Sequence, residues 1–273
     1  LIFNDPHLEG VSYHNFPLSK YFGSPYGMMV ARTGWSDSVN YSSPIAMAEM
    51  HIGELWAANH HHLDAGSFQL YYKGILALDS GIYDSYGSSH DNNYNKETIA
   101  HNSLLIYDPD EKTNGGVVNA GGQRRPGGEV ATMEAWMKDD NYNMGKVIGQ
   151  EFGPDPMTPE YTYIAGDITK AYTDKVQEVL RSMIFLPMEN TDHPAAFVVM
   201  DKITSSNPTF KKTFLLHSQQ EPHVNGNISV IKRDTDGYNG MLTNQTLLPK
   251  NAKIEKIGGE GKEFMINGVN YAL

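Results

Sequence analysis

Three consecutive histidines stand in the segment Asn59-His60-His61-His62-Leu63-Asp64. Imidazole is the side chain whose ordinary pKa lies between pH 5 and 8, so it can carry a proton or hold a metal. On an extended chain, residues two apart project to one side, so His60 and His62 can share a metal or divide a ligand's task from a proton carrier's. His61 then points the other way. Asp79 follows His62 after two runs, 67–72 and 75–79, separated by Lys73-Gly74. That pattern predicts a β-hairpin, which returns the chain to its starting end and brings Asp79 beside His62. His101 opens the next apolar run. His62, Asp79 and His101 then form a two-histidine, one-carboxylate set of the kind that holds zinc, with water in the fourth position. Each piece alone has a plainer reading: a surface loop, an Asp-Ser-Gly turn, a capped strand. The joint pattern is what favours a site.

The stretch between Asp79 and His101 contains Tyr83, Tyr86, His90, Asp91 and Tyr94 among many polar residues. It reads as a loop too polar for a core, either simply solvated or a site mouth where tyrosines stack on sugars. His217 ends an apolar run and could reach a cleft, whereas His7, His14, His51, His193 and His223 show no partner pattern. No Gly-x-Ser-x-Gly elbow and no phosphate-binding glycine loop occurs. Cysteine is absent, which excludes disulfides and thiol nucleophiles and restricts any metal to histidine and carboxylate ligands.

These residues need a sheet to hold them. Short apolar or alternating runs recur at 102–107, 179–186, 195–203, 212–217 and 227–232, each bounded by turn residues. Val198-Val199-Met200-Asp201 and Thr213-Phe214-Leu215-Leu216 read as interior strands. One short helix is expected within 129–138. The fold class is all-β: a multi-stranded antiparallel β-sandwich with few short helices. The Pro- and Gly-rich stretch 149–159 reads as a long loop dividing 1–150, which carries the histidine site, from a continuation of the sheet region over 151–273. Net charge is -11, which disfavours nucleic acid as a partner. An anionic polymer would need local cations, for which Lys73, Lys96, Arg124 and Arg125 are the candidates nearest in sequence. No apolar run is long enough for a membrane-spanning helix. A start at Leu1 without a basic-then-apolar leader suggests a processed chain or an excised piece.

Three motifs in order carry a resemblance. Asn59-His60-His61-His62-Leu63-Asp64-Ala65-Gly66-Ser67-Phe68, then Leu78-Asp79-Ser80-Gly81-Ile82-Tyr83, then Ile99-Ala100-His101-Asn102-Ser103-Leu104 resemble the heparinase II/III-like polysaccharide lyases, the heparinase II type in particular. Lys20 to Pro25 and Gly258 to Phe264 look similar too. The resemblance implies a β-sandwich of the super-sandwich type that follows a helical toroid, the toroid being absent from this chain. It implies β-elimination on uronic-acid-containing glycosaminoglycans of the heparin or heparan sulfate kind, in a bacterial periplasm or outside the cell. His60 matches the catalytic histidine, His62, Asp79 and His101 the ligands of a mainly structural zinc, and Tyr83 a substrate-binding position. His61 departs from the family's usual polar residue. The expected partners are an acidic polysaccharide, the toroid and a second copy in a homodimer, with no nucleic acid and no membrane. Without the toroid, low activity is expected. Two other readings are a non-catalytic carbohydrate-binding sandwich and a zinc-dependent hydrolase.

Overall fold

Alternation of buried and exposed side chains defines most strands of the computed structural model, which describes residues 7–37, 43–57, 59–113, 117–128 and 132–273. The first sheet runs in chain order through β1 (Ser19–Phe22), β2 (Met28–Arg32), β3 (Ala46–His51), β4 (Phe68–Tyr72) and β5 (Ile75–Ala77), antiparallel throughout. Its inner face presents Met29, Ala31, Ala48, Met50 and Phe68, all buried. The expected β4–β5 hairpin forms, and Lys73 and Gly74 take φ of 50° and 137° at its turn.

After β6 (Leu104–Tyr107) comes one short helix, α1 (Met133–Lys138). Thr132 caps it by accepting from the Ala135 amide at 3.1 Å. The predicted start at 129 falls outside the described residues. A second sheet has the order β10-β9-β8-β7, with β7 at Lys146–Gly153, β8 at Tyr161–Asp167, β9 at Val176–Pro187 and β10 at Ala195–Ser205. Ile164, Val179, Met183 and Phe185 project from it into the common core. Complete burial of one such side chain stabilises the fold by about 1.5–3 kcal/mol. Packing is tight at Gly166 of β8, where a Cβ would stand 2.5 Å from Cγ2 of Ile52, the residue after β3. Smaller pieces complete the sandwich: β11 (Lys211–Phe214) on β6, a three-stranded sheet of β12 (His223–Asn225), β13 (Ile228–Arg233) and β14 (Gly240–Gln245), and a hairpin of β15 (Met265–Ile266) and β16 (Val269–Asn270).

The architecture is the expected all-β antiparallel sandwich. Three local expectations differ. The predicted loop 149–159 begins inside β7, whose residues 149–153 pair with β8. Ile148 is the extra residue of a bulge there, so the apolar alternation slips by one and is hard to see in the sequence. β7 also runs across position 150, so both parts of the chain share this sheet. β10 is an edge strand rather than an interior one, with Val198 and Met200 47% and 67% exposed. Its other face, Phe197, Val199 and Ile203, packs on the core, and a one-sided strand with apolar residues on both faces looks interior in sequence. β11 pairs with β6 alone, and Phe214 is exposed.

Candidate functional site

The histidine segment is a turn, not a strand. Asn59 has φ of 56°, in the left-handed region. Nδ1 of His61 accepts from the Ala57 amide at 2.8 Å, and Trp56 Nε1 donates to the His61 carbonyl at 3.2 Å. These bonds close the turn on itself, and His60 and His62 meet different neighbours. His60 lies exposed, edge-on to the rings of Tyr83 and Tyr86 with centroids 5.5 and 5.3 Å away. His62 is half-buried and turns its Nδ1 to Nε2 of His101 at 3.2 Å. His61, bonded within the turn, takes part in neither contact.

The hairpin delivers Asp79 to this point, but beside His101 rather than His62. Asp79 Oδ1 lies 2.9 Å from Nδ1 of His101, an ion-pair contact whose two atoms have no other partner. Asp79 Oδ2 accepts from Gln69 Nε2 at 2.9 Å. Burial disfavours charge on the fully enclosed His101, but Asp79 outweighs it and raises the pKa. Burial and the neighbouring His101 lower that of His62. Both shifts favour His101 as the donor to His62, and the three residues form a line: His62, His101, Asp79.

Three further groups complete this cluster, of which the sequence pointed to His217 alone as able to reach a cleft. His51 stands 3.5 Å from Asp64; burial opposes charge on both, yet each holds the other's charged form, His51 raised and Asp64 lowered. His217 is neutral: burial, helped by the charge of His101, lowers its pKa to about 4. Asn102, fully buried, fixes the cluster's frame. Its Nδ2 donates to the carbonyls of Phe68 and Leu78 at 2.8 and 3.1 Å, and its Oδ1 accepts from the His217 amide at 2.7 Å. One amide thus fastens β4, the residue before Asp79, and His217 to the residue after His101. Behind it, the buried Arg181 makes two bonds to Asp201, at 2.7 and 2.8 Å, and donates to the carbonyls of Gly66 and Asn102. Gln123 bonds both the amide and the carbonyl of Ala65. Arg181 had a signal in the sequence, since a lone arginine inside the apolar run of β9 must find a buried partner.

The loop between Asp79 and His101 is less solvated than its composition predicts. Tyr83 and Tyr86 are exposed as expected, but His90, Asp91 and Tyr94 are buried. Of the four candidate cations, Lys96 stands against a tyrosine that frames His60: its Nζ pairs with Asp91 at 2.6 Å and lies 4.1 Å over the Tyr86 ring. Arg125 pairs with Glu97, Arg124 bonds the carbonyls of Lys170 and Asn143, and Lys73 stands over Tyr72. A cleft of 640 Å³ lies elsewhere, and its lysines 170 and 175 are paired with Asp140 and Glu111.

The zinc expectation divides at this geometry. Two ligands of a tetrahedral zinc, each at about 2.0–2.1 Å, stand a little over 3 Å apart, as the facing nitrogens of His62 and His101 do. Asp79, however, contacts the other ring nitrogen of His101, and among the described residues no three such side chains converge on one point. Asp79 thus meets His101 on the ring nitrogen opposite the one that faces His62.

Residues 49–257 match the family model described as Heparinase II/III-like, C-terminal. The chain belongs to the heparinase II/III-like family. The match contains His60, His62, Asp79, Tyr83 and His101. A solved structure named Heparinase III-BT4657 gene product aligns at 15% identity and a TM-score of 0.46, over 79% of this chain. This chain spans about a quarter of that one, 26% of its length. No curated protein matches.

Proposed function

We propose that this chain is the β-sandwich part of a lyase that cleaves uronic-acid-containing glycosaminoglycans, heparin or heparan sulfate in kind, by β-elimination. The observation that carries the reading is His60: it is exposed, framed by Tyr83 and Tyr86, and anchored through its turn to a buried ionic cluster within a family-matched segment. A neutral imidazole there can take the proton from C5 of the uronate. The electron pair left behind forms the C4–C5 double bond as the C4–O bond breaks, and an acid protonates the departing oxygen. The proton is weakly acidic, so the uronate carboxylate must be neutralised or hydrogen-bonded while charge develops. Tyr83, beside His60, is suited to holding the sugar. The remaining groups would come from a helical toroid, and the whole protein would act in the periplasm or outside the cell as a homodimer.

Zinc is part of this proposal in a structural role. His62 and His101 would hold it, with Asp79 beside His101, and its chemistry there would be to fix the segment that aims His60. Elemental analysis tests this: His62→Ala should lose the metal, and stoichiometric zinc retained in that variant ends the assignment. For the reaction, the pure chain is incubated in excess with uronate polymers and the products are weighed. Elimination gives an unsaturated end, absorbing in the ultraviolet and lighter by one water than the hydrolysis product. Saturated ends would sink the mechanism in favour of a hydrolase. Saccharide binding without turnover, abolished by His60→Ala or Tyr83→Ala, is the result expected when the toroid is not supplied. Binding unaffected by both variants would point instead to a non-catalytic sandwich.

A further inference from the structure

The loop bearing Tyr83 and Tyr86 is fastened from beneath, and the fastening ends in the last residues of the chain. Ser80 donates its amide to the Ala100 carbonyl at 2.7 Å and accepts from the Tyr94 hydroxyl at 3.0 Å. Gly81 follows with φ of +88°, and a Cβ there would stand 2.8 Å from Asn95 Oδ1. Ile82 then donates its amide to Nε2 of His90 at 3.2 Å, while Nδ1 of His90 donates to the Tyr271 carbonyl at 2.5 Å. These two bonds select one neutral tautomer, with the proton on Nδ1 and the lone pair on Nε2.

His90 is 1% exposed. Its ring meets Phe264 edge-on at 4.6 Å, and Phe264 meets Tyr94 at 5.1 Å. Ile266 completes a small second core with Tyr94 and Ala100. The hairpin that supplies Phe264, Ile266 and Tyr271 lies beyond residue 257, past the segment matched by the family model. A polar, histidine-containing loop is thereby given a core of its own, and the amide that His90 fixes, that of Ile82, is next to Tyr83.

We infer that His90 is a positioning residue: gripped by the C-terminal hairpin, it holds Ile82 and so sets Tyr83 against His60 for saccharide binding. The inference rests on the reading of His60 and Tyr83 as the sugar-facing pair. Two variants separate the bonds of His90. In His90→Gln the side-chain oxygen can reach the acceptor position of Nε2, whereas in His90→Asn the amide reaches only that of Nδ1. The measurements are amide exchange at Ile82 and binding of a heparan-type tetrasaccharide, both on the full 273-residue chain. His90→Asn should speed Ile82 exchange about tenfold and weaken binding about fivefold, the loss of one hydrogen bond. His90→Gln, which keeps the Ile82 bond but gives up the one to Tyr271, should speed Ile82 exchange about threefold and weaken binding less than His90→Asn does. Phe264→Leu, which loosens the grip without touching His90, should speed Ile82 exchange about threefold, a fraction of that same hydrogen bond. Unchanged Ile82 exchange in a folded His90→Asn protein overturns the inference, as does His90→Gln impaired as badly as His90→Asn. If the asparagine variant does not fold, unchanged exchange in Phe264→Leu overturns it as well. Should wild type bind no uronate saccharide, the proposed function fails, and Ile82 exchange alone then decides the role of His90.

Discussion

Replacing Asn102 tests the frame of the site in a way that depends on chemistry rather than size. Asn102→Ala removes bonds to the Phe68 and Leu78 carbonyls and to the His217 amide. At about 1 kcal/mol net each, the loss is roughly 3 kcal/mol. Asn102→Asp keeps the shape but turns a donor into a carboxylate oxygen facing two carbonyl oxygens in a fully buried position. At pH 7 it should be less stable than Asn102→Ala by at least about 1 kcal/mol, because an ionised or mispaired group is then buried. A protonated carboxyl can donate to one of those carbonyls, so the acid's pKa in the folded state rises above its unfolded value of about 3.9. The folded form then binds the extra proton, and stability falls as pH rises through this window. Between pH 7 and pH 4 the N102D variant should therefore recover about 1–2 kcal/mol relative to N102A, at about 1.4 kcal/mol per unit. Urea denaturation followed by tryptophan fluorescence at both pH values supplies the numbers. An N102D protein within about 0.5 kcal/mol of wild type at pH 7, well inside the cost of one hydrogen bond, would refute the reasoning. So would a penalty that does not change with pH relative to N102A.

Arg181→Ala should destabilise the fold by about 3 kcal/mol, since it leaves the half-buried Asp201 without its partner and two carbonyls unpaired; a melting temperature close to wild type would contradict this. His217, with a folded pKa of about 4 against 6.5, favours the folded state above pH 6.5, and that contribution is lost as pH falls towards 4. It amounts to about 3 kcal/mol at most, at about 1.4 kcal/mol per unit. The stability difference between wild type and His217→Asn should therefore shrink from pH 7 to pH 4, and a constant difference would exclude the effect. His60→Ala, at an exposed turn, should change stability by less than about 0.5 kcal/mol while removing saccharide binding; a large drop in unfolding free energy would mean that the residue is structural.

The ligand-type residues were legible because three histidines stand together and the spacing to Asp79 fits a hairpin. What they touch was not. His60 and His62 meet different neighbours because the segment is a turn, entered through a left-handed Asn59, rather than the extended run assumed for it. Asp79 arrives at the right end of the sheet, yet contacts His101, because a hairpin specifies a neighbourhood and not which ring nitrogen is met. Tyr94 and His90 read as solvated loop residues because their core is built by Phe264 and Ile266, far along the chain. Strand alternation revealed β9 and β13 well. It misled at β10, where apolar side chains continue on the exposed face.

The span of the Asn102 clamp has a consequence in time. It joins Phe68, Leu78 and His217, and the loop above it is closed only by Tyr271. Contacts so distant in sequence form late, because long loops must close before they are rewarded. During synthesis, β1 to β5 can pair while the histidines remain unaligned, and the line from His62 to Asp79 gains its frame only after β11 has arrived. Pulse-labelled exchange during refolding should accordingly protect the amides of β2 and β3 before those of His217 and Ile82, so that the histidine cluster is ordered after the sheet that carries it.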